Sequence, residues 1–339
     1  MKSASPSVLA QLLPKAPLSR GFIDPFTCAA AELDLVEENL KRSIRSSERA
    51  LTDISAHLIM GGGKRIRPMV TLLAFKAFGG KNVQDIVDIA TAIELIHTAT
   101  LLHDDIIDGA EIRRGRESAF KRFGLKATLV AGDFLFIKAF EFAGKFDATV
   151  VQWTADACTS LTEGEMLQGF FNRNAAVTVE DYLEIVRRKT ASLFQTGAKI
   201  GAYLAGAIPA LVEETSLYGL NLGIAFQIID DVLDVVGKKE LLGKSTGMDL
   251  RDGNPSLPII LALHEGRRPV SGAFMSSNPS DEQIRDAIES IGRGNIIQEA
   301  KALSKTYAEL AFKSIKKLPP SLYRNGLKTL VRLIIERDF

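Results

Sequence analysis

Apolar residues recur at three- and four-residue spacing through most of this chain, the mark of helices that each bury one face. From Thr27 the stripe runs through Ala31, Leu33, Leu35, Val36, Leu40 and Ile44. A second helix is predicted from Ser47 to Met60 and ends at Gly61-Gly62-Gly63, glycine being costly inside a helix and suited to its C-terminal cap. Met69 to Phe78 follows, with Pro68 placed at the first helical position, and Gly79-Gly80 breaks it. Val83 to Ile107 predicts a long helix whose inner stripe is Ile86, Ile89, Ala90, Ile93, Ile96, Ala99 and Thr100. Leu125 to Gly144 and Ala148 to Gln168 are further helices; after the polar break Asn172-Arg173-Asn174, Thr178 with Asp181 three residues on opens another. A small-residue stretch, Gly197 to Ala210, precedes a long helix from Glu213 to Val236. Residues 238–258 are a loop rich in Gly, Lys and Asp, followed by helices over Ile259 to Leu263, Asp281 to Ile291, Asn295 to Ile315 and Ser321 to Arg337.

Period-two alternation is nearly absent, so the pattern predicts an all-α fold: antiparallel helices around a central cavity, one domain over residues 27–339. Residues 1–26, with Pro6, Pro14, Pro17 and Pro25, are expected to form a loose arm. Their apolar patch, Val8 to Leu13, is too short and polar for a signal peptide or a membrane span. No other apolar run is expected to cross a bilayer, and the chain is expected to be cytoplasmic.

Composition adds little: 46% hydrophobic and 24% charged residues over 339 positions is ordinary for a globular chain. The net charge of +1 gives no global field for nucleic acid. The two cysteines, Cys28 and Cys158, lack metal-type spacing and are expected to be reduced thiols.

Local charge changes the picture. Asp104-Asp105-Ile106-Ile107-Asp108 closes one apolar helix, and Asp230-Asp231-Val232-Leu233-Asp234 closes another. Asp104 and Asp108, like Asp230 and Asp234, are four apart and share a helix face, where like charges repel. Burial raises that cost unless a cation compensates. One such cluster also fits a solvated helix end; two on apolar helices point to Mg²⁺, which bridges a few carboxylates to substrate phosphates. Phosphate needs further cations, and basic turns supply them: Lys64, Arg65 and Arg67; Arg113, Arg114 and Arg116; Arg187, Arg188 and Lys189; and Lys244. The Gly61 to Pro68 turn, before a helix N-terminus, is a ready anion site. Each turn alone fits a solvated patch, and His97, two turns above Asp104, fits a core histidine as well as a ligand. Gly237 to Ser245 imitates a P-loop, but its first glycine is misplaced and no parallel sheet precedes it.

These stretches resemble the trans-isoprenyl diphosphate synthases (polyprenyl synthetases). The resemblance rests on Gly62-Gly63-Lys64-Arg65-Ile66-Arg67-Pro68, His103 to Gly115, Lys189-Thr190, Phe226 to Asp234 and Gly243-Lys244, in the family's order over about residues 30–335. It implies the isoprenoid synthase fold, usually homodimeric, without stable membrane insertion. It also implies Mg²⁺-dependent condensation of isopentenyl diphosphate with an allylic diphosphate. Lys64, Arg67, His97 and Arg114 would grip isopentenyl diphosphate; Arg113, Lys189 and Lys244 would contact the allylic diphosphate. Asp104, Asp108 and Asp230 would ligate metal, with Asp105, Asp231 and Asp234 ligating or working through water. Thr190 and Gln227 would support the reacting ends. Two positions depart from the family pattern: Asn254 replaces a phosphate-side lysine, and Glu117-Ser118 replaces Pro-Thr after Arg113-Arg114-Gly115.

The small Thr100 and Ala99, four and five residues before Asp104, imply an unblocked path along Ile96 and Ile93. The product would then be medium to long, octaprenyl-like, as for a quinone side chain, with Phe170 and Phe171 as candidates for the floor. Shorter, farnesyl or geranylgeranyl products are the alternative, as is a non-catalytic subunit, although such subunits tend to lose an acid cluster. A terpene cyclase fits less well, because its second metal motif mixes Asn, Ser or Thr with Glu.

Overall fold

The computed structural model describes residues 24–113, 115–237 and 246–336. Its helices in chain order are α1 (Pro25–Cys28), α2 (Ala30–Ser43), α3 (Arg49–Ile59), α4 (Ile66–Ala77) and α5 (Val83–Ile107). A hairpin of β1 (Ile112–Arg113) and β2 (Arg116–Glu117) pairs Ile112 with Glu117. Then come α6 (Ala119–Phe123), α7 (Leu125–Ala143), α8 (Ala148–Phe171), α9 (Val179–Val186), a π-helical turn (Arg187–Ala191), α10 (Ser192–Leu204) and α11 (Pro209–Val236). The C-terminal part holds α12 (Met248–Asp252), α13 (Leu257–His264), α14 (Arg268–Met275), α15 (Asp281–Gly292), α16 (Ile296–Lys316) and α17 (Leu322–Ile335).

The all-α expectation holds. α5 has the predicted bounds and is buried almost all round, which suits a helix apolar on every side. It packs on α4, α2, α7 and α10. α5 is also long and apolar enough to cross a membrane by length and composition, against the expectation that no run would be. However, 78% of its apolar window is buried inside the fold, so it is the central core helix. The main core surrounds it, and two smaller cores lie under α12 to α16 and between α9, α11, α13 and α16.

α1 already packs on α4 and α17, so Pro25 and Phe26 at the end of the expected arm belong to the folded body. The predicted capping box is present: Thr178 Oγ1 accepts from the Asp181 N–H, and Asp181 returns a bond to Thr178 N–H. α4 starts at Ile66, so Pro68 is its third residue rather than its first. The hairpin, α6 and α14 carry no clear periodic signal and are not predicted, α12 lies within the stretch expected to be loop, and the π-turn reads as continuous helix in the sequence.

Two glycines decide a helix crossing. A Cβ on Gly219 would meet Phe194 O at 2.4 Å, and one on Gly223 would meet Ala191 Cα at 2.6 Å. α11 therefore lies directly on the backbone of α10 and the π-turn.

Candidate active site

α5 and α11 bring their C-terminal ends to one cavity of about 1020 Å³. Asp104 and Asp108 line it from α5, and Asp230 and Asp231 from α11, so the two acid clusters face one space. Lys64, Arg67, His97, Arg113, Lys189, Thr190 and Gln227 line it as well. Arg114 and Lys244 lie outside the described residues, as does most of the P-loop lookalike.

The anion turn is built on Arg65, not presented by it. Arg65 takes the left-handed conformation (φ 48°) ahead of α4, which a residue with a Cβ adopts only when its surroundings hold it there. Its Nε donates to Glu37 of α2 (2.5 Å), its Nη1 to Glu94 of α5 (2.7 Å) and its Nη2 to the Ile59 carbonyl (3.2 Å). These carboxylates keep the buried guanidinium charged. The two flanking cations then face the cavity, with Arg67 over the Phe194 ring at 4.8 Å.

The π-turn sorts the second basic run. Arg187 and Arg188 point to surface acids, Glu184 and Glu163, whereas Lys189 turns inward to Glu165 and lies 3.8 Å from Asp104. Gly164 makes room: a Cβ there would stand 2.7 Å from Lys189 N. Glu165 is a cavity acid that sequence reasoning missed. It lies three residues before Gln168, another lining residue, and that spacing was the available signal.

Electrostatics single out the first cluster. Burial pushes the Asp104 carboxyl up to about 7; Lys189 opposes this, while Glu165 and Asp108 add to it. Asp108 is raised as well, chiefly by burial. Clustered carboxylates held above their ordinary range call for a cation. Among the described residues no three acidic, imidazole or thiol side chains form a closed metal cage. The oxygen-only donors Asp104, Asp108 and Asp230 instead fit a hard divalent ion held jointly with substrate phosphates. That donor set fits the expected metal.

The inner aspartates do other work. Asp105 is fully buried and accepts from Arg113 Nε at 2.7 Å, so it anchors that arginine and does not reach the cavity. Asp234 is also turned away from the cavity: its Oδ2 accepts from Asp249 N–H (3.1 Å) where residues 247–249 fold back over the end of α11. Asp231 lies in the wall, where its Oδ2 accepts from the Tyr182 hydroxyl (2.6 Å) and Leu257 N–H (3.4 Å), and its Oδ1 from Gln227 Nε2 (2.8 Å). Burial pushes its carboxyl up to about 7 against those hydrogen bonds. Asp105 and Asp234 thus have partners inside the fold that helix spacing alone does not reveal.

Asn254 lines the mouth and ties its two sides. Its Oδ1 accepts from Gln168 Nε2 (3.0 Å) and Asn172 Nδ2 (3.3 Å), and its amide donates to Asp108. Ser118, the other departure, caps α6 through Lys121 N–H (3.0 Å) and donates to the Ala110 carbonyl (2.5 Å). Both unusual residues thus have local partners.

Thr100 lines the cavity with Leu101, and Phe136 and Leu161 complete an apolar wall. Ala99 and Ile96 do not line it: they are fully buried on the face of α5 turned into the core. Phe170 is 73% exposed near the end of α8 and does not line the cavity in the single chain.

A polyprenyl synthetase family model matches residues 48–291. An octaprenyl diphosphate synthase from Haemophilus influenzae is 33% identical over 326 residues, 92% of this chain and 95% of that one. A geranylgeranyl pyrophosphate synthase from Geoglobus acetivorans is 34% identical over 311 residues, 90% and 96% of the two chains. The crystal structure of a polyprenyl synthase from Caulobacter crescentus CB15, complexed with calcium and isoprenyl diphosphate, superposes with a TM-score of 0.89. It shares 34% identity and covers 94% of this chain and 99% of that one.

Proposed function

The chain belongs to the polyprenyl synthetase family and is a prenyltransferase; from that premise we propose that it is a Mg²⁺-dependent synthase making a medium- to long-chain, octaprenyl-like diphosphate. One observation carries the reading: the two acid-bearing helix ends and two sets of cations line a single cavity with an apolar wall. Lys64, Arg67 and His97 hold the diphosphate of isopentenyl diphosphate. Arg113 and Lys189 hold the allylic diphosphate, with Asp104, Asp108 and Asp230 as carboxylates for the metal.

When bound, the divalent ion neutralises charge on the leaving diphosphate. The allylic C–O bond breaks with its electron pair on the diphosphate, and the isopentenyl double bond closes the new C–C bond. A proton is then lost to the departing diphosphate. Lys189 and Arg113 stabilise the developing negative charge from fixed positions. The wall of Leu101, Phe136 and Leu161 keeps water from the cation. The small Thr100 leaves room for elongation.

The reading places this activity in one domain, residues 27–339, acting as a cytoplasmic homodimer. An exposed apolar stripe on α7 (Leu125, Leu129, Ile137 and Phe140), with Met166 and Phe170 on α8, supports that assembly.

The test is incubation of the purified chain alone with Mg²⁺, labelled isopentenyl diphosphate and farnesyl diphosphate, with products sized by chromatography. Octaprenyl-length product is expected. A geranylgeranyl product refutes the length, a cyclic hydrocarbon the reaction class, and no turnover a self-sufficient enzyme.

A further inference from the structure

The hairpin that carries Arg113 has almost no core of its own. Ile112 is 61% exposed, Arg116 and Glu117 are exposed, and each strand is two residues long. A two-stranded ribbon of that kind does not hold its own position in water, so its place depends on point contacts. Two of these lead back to the chain just before it: Arg113 Nε donates to Asp105 Oδ1 (2.7 Å), and Ser118 Oγ donates to the Ala110 carbonyl. A third leads elsewhere. His57 Nε2 bonds the Glu117 carbonyl at 2.7 Å, and the His57 ring lies edge-on to Phe123 of α6, with centroids 5.7 Å apart.

A carbonyl oxygen only accepts, so His57 Nε2 carries the hydrogen and donates it; the neutral Nε2–H tautomer and the imidazolium both do so. The acceptor is main chain, so the bond holds the hairpin backbone rather than one side chain. His57 sits in the last turn of α3, and the chain leaves α3 directly into the turn that presents Lys64 and Arg67. α3 is therefore the mount for both sets of cations, through the covalent chain for Lys64 and Arg67 and through His57 for the hairpin. The two parts meet closely. A cavity of about 10 Å³, room for about one water, lies between His57, Leu58, Gly61, Arg113, Arg116 and Ala119. Each part is also tied to α5, Arg65 to Glu94 and Arg113 to Asp105, but at points about three turns apart. His57 joins them directly.

We propose that His57 is a positioning residue that sets the distance between the two diphosphate grips, by locking the Arg113 hairpin to the end of α3. Bond formation between two bound substrates tolerates little error. The reacting atoms must approach to about 3–3.5 Å, and a misplacement of about 1 Å costs about 100-fold in rate. His57 does not line the large cavity, so it acts through the hairpin. Each grip keeps its own anchors; His57 fixes one against the other. The inference rests on the synthase reading above.

The test compares His57→Phe, which keeps a ring against Phe123 and removes the donor, with His57→Gln, whose amide returns a donor at similar reach. Calorimetry with Mg²⁺ gives the Kd of isopentenyl diphosphate alone and of farnesyl thiodiphosphate, an unreactive allylic analogue, alone. The single-turnover rate of the first condensation is measured with both substrates saturating. In His57→Phe the rate should fall about 10-fold or more while each single-ligand Kd stays within about 2-fold, and His57→Gln should recover the rate to within about 3-fold of wild type. Tryptic cleavage after Arg116 should be faster in His57→Phe than in either of the other two proteins. Should His57→Phe not fold, His57→Ala carries the same comparison. An unchanged single-turnover rate, no recovery in His57→Gln, or a loss of affinity for one ligand alone as large as the loss of rate would overturn the proposal. Wild-type protein that makes no polyprenyl diphosphate would instead sink the synthase reading, so the two failures are told apart.

Discussion

Arg65 is the residue whose removal tests the architecture of the anion turn most directly. Its side chain is 8% exposed, and that of Glu94, its closest deeply buried partner, is 4% exposed. Arg65→Ala leaves Glu94 as a buried carboxylate without its cation, a loss worth about 3–5 kcal/mol. Glu37 is about a third exposed, so solvent screens its share and it adds little. The backbone contributes separately, because Arg65 sits at φ 48° and a Cβ there costs about 1–2 kcal/mol. Arg65→Gly relieves that strain and should be about 1 kcal/mol less damaging than Arg65→Ala. Adding Glu94→Gln to Arg65→Ala should recover part of the loss, since the buried charge is then gone. Denaturant unfolding of the four proteins, analysed through midpoint and slope, gives the differences. Activity supplies a second readout: once the turn is loosened, KM for isopentenyl diphosphate should rise more than KM for the allylic substrate. An Arg65→Ala protein destabilised by less than about 1 kcal/mol, within the range of ordinary surface changes, would refute the reasoning.

Three further outcomes are expected. Without metal, folded Asp104 holds a proton up to about pH 7 whereas the unfolded carboxyl releases it near its ordinary value of 3.8, so stability should fall as pH rises across that interval while divalent-ion binding strengthens; thermal unfolding that is flat or improves towards pH 7 contradicts this. Gly223→Ala should cost about 1–3 kcal/mol by overpacking against Ala191 and also slow turnover, because it pushes Gln227 from Thr190; an unchanged unfolding midpoint would argue against the close crossing. Thr100→Phe should shorten the product, whereas Ala99→Phe should destabilise the core and leave product length unchanged; chromatography showing the reverse would move the elongation path to the other face of α5.

The helices were legible because a 3.6-residue period reports which residues share a face, and α5 was read to its correct ends. The acid clusters were legible because buried like charges need a reason, and both clusters do meet at one cavity. What covers a face, by contrast, depends on chain far away. Asp234 has the right spacing from Asp230 but is turned away by residues 247–249, and Asp105 is claimed by Arg113 from the hairpin. Ala99 and Thr100 are neighbours, yet only Thr100 meets the cavity, a distinction of 100° of helix rotation that periodicity leaves undecided without knowing where α7 and α8 lie. The π-turn was invisible because its residues read as continuous helix, and it is what sends Lys189 inward and its two neighbours outward.

The all-round apolar character of α5 has a consequence for synthesis on the ribosome. By the time Ile107 is made, only α2, α3 and α4 exist to cover this helix. α7 is complete at Ala143, 36 residues later, and α10 later still. At about 5–20 residues per second, a segment with the composition of a membrane span waits about 2–7 seconds for α7, its main downstream partner. During that interval it should be open to capture by chaperones and by the insertion machinery alike. Nascent chains stalled before Leu125 should be captured by both, and chains stalled after Ala143 should be released.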